Sequence, residues 1–194
     1  MSAVFSLDRL TDCGAHKRGH FQLSSGLHSP DYLQCALFLS DPGRAEAAGR
    51  LLATAIRGAG EAPDVVVAPA LGGLIIGHEV ARALDRPFLF TERSHGAMTL
   101  RRGFAVHQGE RAVVVEDVVT TGISSRETLT VVEAGGAQVV GVASIVNRSG
   151  RSNPFDPLLF HTLLEVSFPT WVAEECPLCR QGVPVDKPGS RSSA

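Results

Sequence analysis

Two adjacent carboxylates, Glu116 and Asp117, end an apolar run in the stretch VVVEDVVTTGISS, residues 113–125. Val118 and Val119 follow as spacers, and then come Thr120, Thr121, Gly122, Ile123 and Ser124. Neighbouring carboxylates can accept hydrogen bonds from vicinal sugar hydroxyls, or help hold a hydrated Mg²⁺ together with substrate oxygens. The hydroxyls behind them, a glycine that lets the backbone turn closely and the amides of a helix start together favour a phosphate monoester. The stretch therefore reads as a place for a sugar diol beside a terminal phosphate. Taken singly, an acidic pair or a Thr-Thr-Gly at a strand end is common in α/β proteins. The ordered combination is far more restrictive, and it contains neither GxxxxGK[ST] nor GxGxxG.

Such a site needs a strand to carry the carboxylates and a helix to present its amino end. RAVVVEDVV, 111–119, supplies the strand, and SSRETLTVVEAGG, 124–136, supplies a helix closed by Gly135 and Gly136. In an open parallel sheet ligands gather at the carboxyl ends of the strands, where Glu116 and Asp117 fall. The flanking segments repeat the pattern. Val65 to Val67 are consecutive β-branched residues suited to a strand buried on both faces, and Leu74 to Leu84 has apolar positions at helical spacing. RPFLFTE, 86–92, reads as a short strand and AQVVGVASIVN, 137–147, as another. SDPGRAEAAGRLLATAIRGAG, 40–60, reads as a helix capped by Ser40 or Asp41 with Pro42 in its first turn. Alternating strands and helices predict an α/β fold, a mostly parallel sheet with helices on both faces.

Two regions break the pattern. ERSHGAMTLRRGFAVHQ, 92–108, holds Arg93, Arg101 and Arg102 without a sustained period, and reads as a long functional loop. After Ser149, proline and glycine become frequent, with PLLFHTLLEVSF offering strand-like residues for an irregular hood or edge hairpin. The division this predicts is an N-terminal hood segment over 1–40, a core over 41–150, and a C-terminal hood hairpin and tail over 151–194, all within one compact domain. VDKPGSRSSA at the end reads as a flexible tail.

The 194 residues, 44% of them hydrophobic, can bury one substantial core. A formal net charge of -2 provides no global basic field for nucleic acid, so an anion site has to be local. No window approaches a membrane span, and the N-terminus lacks the apolar core of a secretory signal, so the expected location is cytoplasmic. Cys176 and Cys179 form a CPLC whose spacing suits a zinc half-site, a redox pair or simply a tight turn. Completing a zinc site would require Cys13, Cys35 or one of the scattered histidines.

With these residues in view, VVVEDVVTTGISS resembles the phosphoribosyl pyrophosphate signature of type I phosphoribosyltransferases. GHFQLSSGLHSPDYLQC, 19–35, is similar to the N-terminal substrate segment of the orotate enzymes of that family. VVGVASIVNRSG, 139–150, is similar to their strand ending in a substrate-binding arginine, and the tail from Cys176 to that of one bacterial branch. The resemblance spans roughly residues 5 to 190. It implies the type I phosphoribosyltransferase fold with a small hood, and transfer of ribose 5-phosphate from phosphoribosyl pyrophosphate to orotate with Mg²⁺ as cofactor. It implies that Glu116 and Asp117 engage the ribose hydroxyls and the metal shell, that residues from Val118 and Val119 through Thr120, Thr121, Gly122, Ile123 and Ser124 line the phosphoribosyl site, and that Thr120 and Arg148 contact orotate. An arginine suits orotate because its planar fork pairs bidentately with a carboxylate. A homodimer with a shared active site, closed by the mobile 92–108 loop, is likewise implied.

The sequence departs from the family pattern in three places. The loop often reads RKxxKxHG, whereas TERSHGAMTLRRGF has no lysine, with Arg93 standing for the first loop lysine and His95-Gly96 for the His-Gly. Arg93 and His95, with Asp117, are then the residues assigned to catalysis, and Arg93 also to phosphoribosyl pyrophosphate. Ser24 replaces the lysine of the substrate segment, and Leu71-Gly72 stand where many relatives have Tyr-Lys. Diphosphate binding is thus expected to rest on Mg²⁺, the backbone around Ala70 to Gly73, and the loop arginines. His28 lies near the substrate segment, where a lone histidine is more often structural. A transferase for another base, or a regulator that keeps the sugar-phosphate site and binds nucleic acid, are the alternatives; the mildly acidic charge weighs against the latter.

Overall fold

The computed structural model describes residues 5–23 and 25–188. In chain order the elements are α1 (Leu7–Asp12), β1 (His16–Gln22), β2 (His28–Leu33), α2 (Cys35–Leu39), α3 (Pro42–Gly58), β3 (Val65–Pro69), α4 (Gly73–Leu84), β4 (Phe88–Ser94), β5 (Ala97–Leu100), β6 (Arg111–Val119), α5 (Ile123–Ala134), β7 (Gln138–Asn147), β8 (Leu159–Glu165) and α6 (Pro177–Arg180). The main sheet has the order β5-β4-β3-β6-β7-β8, all parallel except the β4/β5 pair.

The valine run of β6 shows why the sheet is covered on both sides. Val113 and Val115 pack with α3 and α4, through Leu52, Ile56, Ile76 and Val80, while Val114 packs with Leu129 and Val132 of α5. Successive side chains of a strand point to opposite faces, so an unbroken apolar run needs helices on each. Asp41 caps α3 by accepting from the Arg44 amide at 2.9 Å, with Pro42 in the first turn as expected.

The segment 92–108 is more ordered than its sequence predicts. β4 continues to Ser94 and turns through His95 and Gly96, at φ 50° and 85°, into β5, pairing Thr91 with Leu100 and Ser94 with Ala97. Two left-handed residues in a two-residue hairpin match the twist of the strands they join. The signal was weak because His-Gly is not one of the usual turn pairs and only Met98 of β5 is fully buried.

The C-terminal boundary also moves. β8 is the edge strand of the central sheet, parallel to β7, so a hood hairpin beginning at 151 is corrected: the hood draws only on the residues after β8. There the β1/β2 hairpin is gripped on both edges by the C-terminal segment. His28 and Trp171 exchange backbone hydrogen bonds at 2.8 and 3.0 Å, and Asp186 does the same with His20 and Gln22 at 2.7 and 2.8 Å. The expected flexible tail falls partly on 189–194, outside the described residues. No helix among the described residues is long and apolar enough to cross a membrane.

Candidate active site

Glu116, Asp117 and the turn into α5 lie at the carboxyl end of β6, one of the two central strands of the six-stranded sheet. Glu116 is buried and, with residues 118–125, lines a small polar recess of about 50 Å³. Its carboxyl is pushed up to about 9, first by burial and then by the charge of Asp117 beside it. Two carboxylates this close resist joint ionisation unless a cation or hydroxyl donors arrive between them. Hard oxygen donors that repel one another fit a Mg²⁺ held with substrate oxygens and water.

Gly122 begins α5 at φ 74°, a conformation glycine adopts without strain, and it brings no side chain with which to occupy the first amides of the helix. The turn is firmly seated. Phe155 packs under Gly122, and Arg126 of α5 lies over the Phe155 ring at 5.2 Å while donating to the Pro154 carbonyl. Thr120, Thr121, Ile123 and Ser124 remain exposed around the amino end of the helix, open to an anion.

Gly72, which stands at a position where many relatives carry lysine, has a steric role. A Cβ added there would lie 2.6 Å from the Asp117 carboxylate, so the β3-to-α4 turn and the acidic pair are packed directly together. Leu71 beside it is among the most exposed large apolar side chains, and the Ala70–Leu71 peptide is cis. This turn and the acidic pair therefore form one continuous rim.

Arg148 is delivered to the same rim by the backbone. Its amide donates to the Val119 carbonyl at 2.8 Å, which sets it beside Thr120. Asn147, buried, shapes the turn that follows, accepting from Ser149 at 2.7 Å and donating to the Arg151 carbonyl at 2.7 Å. Burial pulls the Arg148 pKa down, and the nearby Tyr32 of β2 works the other way. Among the described residues no carboxylate or carbonyl pairs with this guanidinium. Tyr32 is itself raised by burial, with Arg148, Asp117 and Asp186 all within electrostatic reach. Tyr32 was thus missed as a site residue although it lies in the quoted segment 19–35; a tyrosine in a hairpin has no sequence signal until the hood is folded over the strand ends.

The cations of the β4/β5 hairpin are neutralised within the chain. Arg93 forms an ion pair with Glu127 of α5 and donates to the Gly96 carbonyl at 2.7 Å. Arg101 and Arg102 approach Glu92 at 3.8 and 3.1 Å. His95 sits exposed at the hairpin tip. The acidic pair, the phosphate turn and Arg148 are therefore brought together, whereas Arg93 and His95 stand on the hairpin. Ser24 lies outside the described residues. His28 is buried and bonds to His20 at 2.8 Å, a setting within the protein rather than toward an open rim.

Comparison with known proteins agrees with this geometry. The phosphoribosyl transferase domain family matches residues 38–176. An orotate phosphoribosyltransferase of Carboxydothermus hydrogenoformans is 50% identical over 89% of this chain and 90% of its own. Among solved structures, the orotate phosphoribosyltransferase of Aeropyrum pernix aligns with a TM-score of 0.63 and 26% identity over 93% of this chain and 90% of that one. The adenine phosphoribosyltransferase of Thermoanaerobacter pseudethanolicus aligns with a TM-score of 0.66 and 18% identity over 83% of this chain and 100% of that one. The last shares the fold alone, so the sheet by itself does not choose the base.

Proposed function

Because the chain belongs to the orotate phosphoribosyltransferases, within the phosphoribosyl transferase domain family, we propose a division of labour for its residues in joining orotate to the ribose 5-phosphate of phosphoribosyl pyrophosphate. The amides and hydroxyls of Thr120 to Ser124 hold the 5'-phosphate. Glu116 and Asp117 accept from the ribose hydroxyls. Thr120 and Arg148 hold orotate, the guanidinium forking onto its carboxylate. The observation that carries this reading is Arg148 itself: a partly buried guanidinium without an anionic partner among the described residues, next to the turn into α5. A desolvated cation left unpaired is costly, and a planar carboxylate is the anion whose shape relieves it.

The transfer passes through a cation-like sugar while diphosphate leaves, so the protein's work is positioning and charge neutralisation. Mg²⁺, when bound, would neutralise the diphosphate, and Glu116 and Asp117 are the groups that would hold it through substrate and water. Leu71 and Gly72 offer backbone in place of a lysine. Arg93, Arg101 and Arg102 supply the cations, and their present partners do not forbid it, since exposed ion pairs are each worth only about 0–1 kcal/mol. Arg93 and His95 would be brought to the reacting groups by the β4/β5 hairpin that carries them. A homodimer with a shared site, a cytoplasmic location and no nucleic-acid partner complete the reading; sedimentation of the purified chain tests the first.

Replacement of Arg148 by alanine tests the assignment. The Michaelis constant for orotate, followed through the loss of orotate absorbance, is expected to rise about 30- to 100-fold, the worth of charge-assisted hydrogen bonds, with phosphoribosyl pyrophosphate affinity changed less than about twofold. Equal weakening of both substrates would overturn it.

A further inference from the structure

We propose that His20, His28, Cys176 and Cys179 form a structural zinc site that fastens the N-terminal hairpin to the C-terminal segment. The proposal does not depend on which base the enzyme uses. Their four ligand atoms all lie within 4.8 Å of one another. His20 Nε2 is 2.8 Å from His28 Nδ1, 3.5 Å from Cys176 Sγ and 3.7 Å from Cys179 Sγ, and Cys179 Sγ is 3.3 Å from His28 Nδ1. Tetrahedral zinc, with bonds of about 2.0–2.1 Å to nitrogen and about 2.3 Å to sulfur, separates two nitrogens by about 3.3 Å and a nitrogen from a sulfur by about 3.6 Å. The three nitrogen-to-sulfur edges at 3.3, 3.5 and 3.7 Å lie within about 0.3 Å of that geometry, and the two rings need to part by about 0.5 Å to meet it.

Three of the four ligands are enclosed: His20, His28 and Cys176 are buried, Cys179 closes the cluster from the exposed side, and both cysteines are free thiols. The other ring nitrogen of His20, Nδ1, donates to the Val183 carbonyl at 2.7 Å, which fixes the tautomer that leaves Nε2 with its lone pair facing the sulfurs. Two neutral imidazoles and two thiolates on a dication sum to zero charge, the combination that suits a buried position, and a tetrahedral N₂S₂ set favours zinc over harder cations. All four positions are taken by protein, so the ion would be structural rather than catalytic. Pro177 starts α6 between the two cysteines, holding the chain in the turn that presents both sulfurs to one point. The other two cysteines do not take part: Cys13 and Cys35 pack with the core under α1 and α2.

The bond made is one between distant parts of the chain, 156 residues apart at His20 and Cys176. The backbone bridges through Trp171 and Asp186 already lie on either side of the cluster, so the ion would lock a contact the fold has formed.

The test is elemental analysis of the untagged full chain, purified without chelator or added metal. About one zinc per chain is expected, falling more than tenfold in Cys176→Ser/Cys179→Ser, a loss consistent with the affinity of structural zinc sites. His28→Cys, which keeps four ligands, should retain zinc, so that loss in the double variant is not mistaken for misfolding. Cobalt substituted into the wild-type chain should show the intense visible bands of a tetrahedral thiolate site, and its variant should not. Wild-type protein with less than about a tenth of a zinc per chain and no such cobalt spectrum, a Cys176–Cys179 disulfide in the freshly isolated protein, or undiminished zinc in the double variant would each overturn the assignment.

Discussion

Two buried glutamates occupy opposite ends of the central sheet, and they are treated differently. Glu61, ahead of β3, and Glu116, at the end of β6, are both only 7% exposed, and burial is the first cause that raises the pKa of each. Glu61 has a protein partner: the His161 ring nitrogen lies 3.0 Å from its carboxylate, and Arg111 also favours its charge. Glu116 has as its neighbour another carboxylate, Asp117. Glu61 has an opposite-signed partner for one oxygen within the chain, whereas the like-charge conflict at Glu116 is left at a strand end for something from outside. Arg148 repeats the lesson with the opposite sign, a partly buried cation at the same end of the sheet with no paired anion among the described residues.

The sharpest way to break the contrast is Glu116→Gln, which keeps the shape but cannot ionise when a cation and hydroxyl donors arrive. Turnover is expected to fall about 10²- to 10³-fold, as when one electrostatic element of a reacting site is lost, while thermal unfolding shifts little. A variant that melts much earlier but turns over normally would reverse the roles given to the two glutamates.

His161→Ala should show the opposite pattern. It strands Glu61 in the interior, at a cost of about 3 kcal/mol for a broken buried pair, and lowers the melting temperature by roughly 6–12 °C in a chain of this size. Both Michaelis constants and the turnover number should stay near the wild-type values in steady-state assays at a temperature where the variant remains folded.

Gly72→Ala probes the contact between the two turns. The new Cβ would overlap the Asp117 carboxylate, whose displacement by a fraction of an ångström should lower kcat/KM for phosphoribosyl pyrophosphate about 10- to 30-fold. An unchanged value would mean that the carboxylate has room to yield.

The smallest effect belongs to Glu127→Gln. Removing the partner of Arg93 should change stability by less than about 0.5 kcal/mol in denaturant titrations, since exposed pairs contribute little. It should tighten diphosphate binding measured by calorimetry, because the guanidinium no longer has a competing carboxylate. Weaker binding would show that the Arg93–Glu127 pair itself holds the productive arrangement.

The fold and the phosphate turn were readable from the chain because their physics is local. A run of three valines demands two covering layers, Asp41 accepts from an amide three residues on and Pro42 sits in the first turn behind it, and the residues from Glu116 to Ser124 are held together by one strand and one turn. The β4/β5 hairpin was hidden because its pairing needs His95 and Gly96 to share a rare backbone conformation, which no periodicity reports. The edge strand β8 was taken for part of the hood because an apolar segment does not say which sheet it joins.

Residue types and their order thus determined the acidic end of β6 and the turn after it, proposed above to hold the sugar phosphate, with Arg148 as the candidate for the partner substrate. Only the tertiary structure decided what stands around it: Tyr32 from the hood, Gly72 against Asp117, the hairpin arginines held by Glu92 and Glu127, and the His20, His28, Cys176 and Cys179 cluster. Spacing along a chain reports only contacts within one element and its next turn. These contacts join segments up to 159 residues apart, and their distances exist only once the sheet has set the strand ends side by side.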